Sequence, residues 1–134
     1  MNTARTILLS AATALMAAAP ALAQEGHPLV GSWHGTWGPD AKERSDVTLI
    51  LNWDGKTLTG VVNHGLAPMK LERVTLEPAG WLVHFEGDAK DRTGAAVRVV
   101  ADGKIEDVTN PRRAITGSWT QGTVKGDFKV VHDN

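Results

Sequence analysis

Five histidines, a scatter of carboxylates and Ser118, flanked by glycine and tryptophan, are the residues of this chain that could carry chemistry. His27, His34, His64, His84 and His132 show neither the His-x-His nor the His-Glu-x-x-His spacing that brings two imidazoles onto one metal ion. Gly117-Ser118-Trp119 lacks the second glycine of a nucleophile elbow, Gly-x-Ser-x-Gly. Asp40, Asp54, Asp88, Asp91, Asp102 and Asp107 read as turn residues that cap and solvate the chain. A catalytic base needs an orienting partner, and the sequence pairs none with the one histidine expected to face inward, His64. Neither a cofactor nor a metal is implied, and an enzyme ranks last among the functional readings.

The residues around these groups carry more information. Gly31-Ser32-Trp33-His34-Gly35-Thr36-Trp37 and Thr116-Gly117-Ser118-Trp119-Thr120-Gln121-Gly122 form a near-repeat. Each alternates glycine or tryptophan with small polar residues, which in a strand puts tryptophan and glycine on one face and the hydroxyls on the other. One copy lies on the first strand and the other on the second-to-last, as expected where a sheet rolls up and closes on itself.

Period-two patterning predicts strands over 29–37, 46–53, 57–64, 69–77, 81–87, 95–106, 114–120 and 124–132, with no helix. Asp54-Gly55 and Pro78-Ala79-Gly80 are tight turns. The stretches 38–45, 65–68 and 88–94 are longer and more polar, so an up-and-down meander would have one sealed rim and one open rim. The seventh connection, Gln121-Gly122, and the long sixth, 107–113, break the pattern in part. Arg112-Arg113 in that sixth connection reads as an exposed turn.

The same phasing assigns faces. Trp33, Gly35 and Trp37 point inward, as do Val47, Leu49, Leu51 and Trp53. So do Leu58, Gly60, Val62 and His64, then Trp81, Val83 and Phe85, while His34 and His84 point to solvent. Strand four changes phase between Leu71 and Val74, which predicts a bulge near Glu72-Arg73. Along the barrel axis Trp33, Trp53 and Trp81 gather at the tight-turn end, where three indoles would plug the base. Trp37, His64, Met69, Phe85 and Trp119 gather at the long-loop end, as further packing or as the lining of a ligand pocket.

The first residues are set apart from this pattern. Arg5, the apolar run from Ile7 to Ala19, and Ala21-Leu22-Ala23 together have the architecture of a signal peptide, with cleavage expected before Gln24. That implies a periplasmic or secreted barrel over 24–134, and the absence of cysteine leaves it without disulfides. The apolar run is short of the roughly 20 residues a bilayer span needs, so no stable membrane insertion is expected. Lys and Arg number 14 against 15 Asp and Glu, with no basic stripe of the kind that tracks nucleic acid.

Three stretches, Gly31-Ser32-Trp33, Asp54-Gly55-Lys56-Thr57-Leu58-Thr59-Gly60 and Ile115 to Gly122, resemble elements of small secreted bacterial barrels of the calycin type, a group that includes lipocalins and avidins. The last two are most similar to those of uncharacterised secreted lipocalin-like domains. The resemblance implies an all-β fold, a small eight-stranded antiparallel up-and-down barrel. It also implies that Gly31 and Trp33 close the base, as the Gly-x-Trp element does in lipocalins. The partner arginine that lipocalins carry on their last strand finds no clear match. Biotin binding is not implied, because the chain has no tyrosine. Two readings stand ahead of an enzyme. One is a binding module holding a small apolar or amphipathic ligand between Trp37, His64, Met69, Phe85 and Trp119. The other is a filled scaffold whose long loops and N-terminal arm, 24–28, dock on a protein partner.

Overall fold

The computed structural model describes residues 27–63 and 68–133. Eight strands follow one another: β1 (Gly31–Gly38), β2 (Ser45–Trp53), β3 (Leu58–Asn63), β4 (Met69–Glu77), β5 (Leu82–Lys90), β6 (Ala96–Glu106), β7 (Ala114–Gln121) and β8 (Val124–His132). Each pairs antiparallel with the next, and β8 returns to β1, so the sheet is a closed barrel. Alternation of apolar and polar residues dictates this result, since one face of every strand must leave water and a closed sheet buries all of those faces in one core.

Phasing survives in the particulars. Trp33 is buried and its neighbour His34 is exposed, with Val47, Leu49 and Leu51 alternating inward from β2. The register slips between Leu71 and Arg73, so Leu71 and Val74 both turn inward and Glu72 and Arg73 stay outside. That bulge sits where the pattern predicts it. It also bends β4 away from β3: the two strands pair only through Gly60–Val62 and Met69–Leu71.

One end of the barrel is sealed. Trp33 and Leu29 are fully buried there, with Leu51, Val83, Ile105, Ile115 and Val130 packed above them at 3 % exposure or less. Leu29 belongs to a turn before β1, not to the strand itself, and crosses the barrel mouth as a stopper. The Trp33 indole N–H donates to the Leu29 carbonyl at 2.9 Å. His132, opposite Trp33 in register, meets the indole edge-on at 4.8 Å between ring centroids. Gly31 makes room for that imidazole: its φ is +124°, and a Cβ there would lie 2.5 Å from His132 Nε2.

Two expected plugs are absent from the base. Trp81 has φ of +53°, closing the Pro78–Trp81 turn in the left-handed region, so its side chain leaves the alternation that Val83 and Phe85 keep. Trp53 is 43 % exposed because β4 has already diverged from β3 at that level, and its ring rests on His27 instead, 5.0 Å away.

Arg113 corrects a third expectation. Arg112 is exposed as the turn suggests, but Arg113 lies half-buried over the Trp33 ring, its guanidinium carbon 5.5 Å from the centroid. Its Nε donates to the Pro28 carbonyl at 2.7 Å, tying the N-terminal arm to the base. An arginine therefore does cover the base tryptophan, from the residue just before β7 and not from the last strand.

An indole removes on the order of 200 Å² from water, about 5 kcal/mol at ~25 cal/mol per Å². Trp33→Ala should accordingly lower unfolding stability by about 3–5 kcal/mol in urea titrations, and Arg113→Ala by about 1–2 kcal/mol through the lost ring contact and hydrogen bond. His34→Ala and Arg112→Ala should stay within about 0.5 kcal/mol of the parent. Equal midpoints for all four variants would contradict the base assignment.

Candidate functional site

The opposite half of the barrel holds a cavity of about 70 Å³. Its walls come from all eight strands, and every lining side chain is apolar. Four of the five predicted pocket residues, Trp37, Met69, Phe85 and Trp119, meet there. The fifth, His64, lies outside the described residues.

Each of the four is held by a different strand for a local reason. Trp37 ends the inward series Trp33, Gly35, Trp37 on β1, and its ring meets that of Trp119 at 4.6 Å between centroids, tilted 51°. Trp119 is fixed further by its indole N–H, which donates to the Asp127 carbonyl at 2.9 Å. Its ring needs the bare backbone of Gly126, where a Cβ would come within 2.8 Å of the indole. Phe85 stands on β5 in an edge-to-face pair with Phe128 of β8, 6.5 Å between centroids. Met69 opens β4 before the bulge and is buried.

Val47, Leu49, Val99 and Phe128 complete much of the wall. Their inward phase is readable from the sequence, but nothing in a strand pattern says which inward residues border empty space and which are in full contact. His132 could have been found: the alternation Gly126, Phe128, Val130 runs on to it. Arg113 could not, because its role depends on the distant β1 reaching the same rim.

A purely apolar cavity offers no acid, base or charge to a reacting group. What it offers is exchange of water for carbon contacts, so it can hold apolar matter and order it by shape. Its size sets a bound, since drug-sized ligands occupy roughly 300–1,000 Å³.

The titratable groups with strong partners lie outside the barrel. Asp102 and Asp88 are not turn residues; both are mid-strand, on β6 and β5. His84 on β5 is held between Asp102, with Nδ1 2.6 Å from Oδ1, and Glu86, with Nε2 2.7 Å from Oε2. Arg73 of β4 approaches Glu86 at 3.7 Å, and Arg98 of β6 pairs with Glu72 at 2.9 Å and Asp88 at 3.2 Å. The histidine is thus well oriented, yet it stands on the outer face of β5 and does not line the apolar cavity. The remaining aspartates behave as the turn reading expects: Asp40, Asp54 and Asp91 each accept backbone N–H groups of their own loops.

The two carboxylates raise the His84 pKa above 6.5, Asp102 foremost through its hydrogen bond and Glu86 next. A group with a raised folded-state value stabilises fully below its unfolded value and loses that contribution as pH rises through the folded one. The stability difference between the parent and His84→Asn should therefore be largest near about pH 5.5 and shrink toward about pH 9. Urea midpoints measured across that range check it, and a difference independent of pH would contradict the bridged imidazolium.

Comparisons of the chain with protein-family models, with curated proteins and with solved structures find no match.

Proposed function

We propose that this protein is an exported, non-catalytic binding module of the calycin type that takes a small apolar ligand, or the apolar end of an amphipathic one, through the long-loop rim. The observation that carries this reading is the asymmetry of the barrel. One end is stoppered by Leu29 and Trp33 under Arg113, while the other keeps an apolar cavity beneath the Trp37–Trp119 pair. Filling that half with one more layer of side chains would have cost nothing in polarity, since its whole lining is apolar already.

About 70 Å³ accommodates a short aliphatic tip or a compact apolar molecule. A dry engineered cavity of about 150 Å³ is known to hold benzene or xenon, which makes xenon and short alkanes the natural probes here. The small volume equally supports the second reading, a largely filled barrel that serves as an interaction scaffold.

Xenon titration followed by nuclear magnetic resonance should shift the methyl signals of Met69, Val99 and Val130 in the parent, and Ala101→Leu, which fills the cavity, should suppress the response. Unshifted signals in the parent, or an undiminished response in the filled variant, would contradict lumen binding. Export is read from the same molecule: intact mass of protein secreted by its own host should correspond to a chain beginning at Gln24, and a chain beginning at Met1 would oppose it.

A further inference from the structure

The short seam between β3 and β4 leaves a second feature that the lumen does not use. Among the described residues, β4 from Arg73 to Glu77 is paired with β5 on one side and with no strand on the other. Among the described residues, Leu58 and Thr59 of β3 likewise pair with β2 alone. In the gap lies a groove of about 520 Å³, within the range of pockets that bury ligands. It follows the unpaired edge closely: Arg73, Val74, Thr75 and Leu76 line one wall, Leu58 and Trp53 the other.

A strand edge without a partner presents N–H and C=O groups that pair with another extended chain. Proteins usually blunt such an edge; here the bulge at Leu71–Arg73 has exposed it and opened a groove alongside. The side chains add a charge pattern. Arg73, Thr75 and Glu77 face outward, and Val74 and Leu76 face inward, so the edge reads cation, apolar, polar, apolar, anion. A strand antiparallel to it satisfies every position if it carries a base opposite Glu77, an acid opposite Arg73 and apolar residues opposite Val74 and Leu76.

We infer that this groove binds an extended peptide segment of a partner protein as an added strand on β4, with the sequence pattern base, apolar, polar, apolar, acid. His27, Trp53, Lys56 and Thr57 line the groove beside that edge, so the guest is an extended segment that pairs along Arg73 to Glu77. The inward apolar residues of the guest would rest on Leu58, Val74 and Leu76, and the exposed Trp53 ring would flank them.

The probe is a fluorescein-labelled peptide with the core Arg-Val-Thr-Val-Glu, followed by anisotropy against the full chain. The parent should prefer it to the charge-reversed Glu-Val-Thr-Val-Arg by roughly tenfold. The double variant Arg73→Glu, Glu77→Arg should reverse that preference. Two N-methylated peptides, one blocked at both valines and one at threonine and glutamate, remove the donors of each edge in turn and need no change to the protein. At least one of them must lose binding. Equal affinity for the two charge patterns, an unchanged preference in the swapped variant, or full binding of both methylated peptides would overturn the proposal. Absence of peptide binding together with a dimer that Glu77→Lys dissociates would assign the edge to a second copy instead, and overturn it too.

Discussion

Everything in this barrel depends on how one indole is covered. Trp33 lies near the start of β1, at the rim where the sheet closes on itself, and it cannot be buried by β1 and β2 alone. Leu29 lies across it and accepts its N–H, His132 meets its edge from β8, and Arg113 covers its face from the start of β7. The His132 and Asp133 amides bond to the Arg113 and Ser32 carbonyls, so the last strand is tied to the first and to the loop before β7 at the same place. Chain ends are where a small barrel without disulfides would fray. Here both described ends are committed to the seal.

Because closure is concentrated at the base, the other end has no such demand on it. Its walls are apolar and continuous, but its layer is incomplete, and a small cavity persists under Trp37 and Trp119. The divergence of β4 from β3 follows from the same division. Past the bulge between Leu71 and Arg73, the β4 residues Arg73 to Glu77 have no pairing with β3, which a barrel held at β1, β7 and β8 can tolerate on its far side. Cavity and groove are thus two consequences of a structure whose packing is strongest around Trp33.

Much of this was legible from alternation alone. Tryptophan and glycine on one face of 31–37 and 116–122 located the two strands that flank β8, and the broken phase of 69–77 located the bulge. Alternation failed at Trp81 because a left-handed turn residue resets the phase, and at Trp53 because facing inward is no burial where the neighbouring strand has left. Arg113 was misjudged for a different reason. Charge pairs in turns are ordinarily solvated, and only the closure of the barrel brings an aromatic face from 80 residues away beneath this one. Cavity volume was beyond reach in principle, since it depends on how far side chains of eight strands fall short of touching.

Native-state hydrogen exchange tests most directly whether the Trp33 seal is the last part of the molecule to open. The amides of β1 and β8 around Trp33, Gly35 and Val130 should exchange only through global unfolding, with a denaturant dependence equal to that of the whole protein. The amides of Gly60 to Val62 and of Met69 to Leu71, on the short seam, should exchange through a smaller opening of lower free energy. Seam amides as slow as those of β1 and β8, or base amides that exchange first, would contradict the claim that closure at Trp33 holds the barrel.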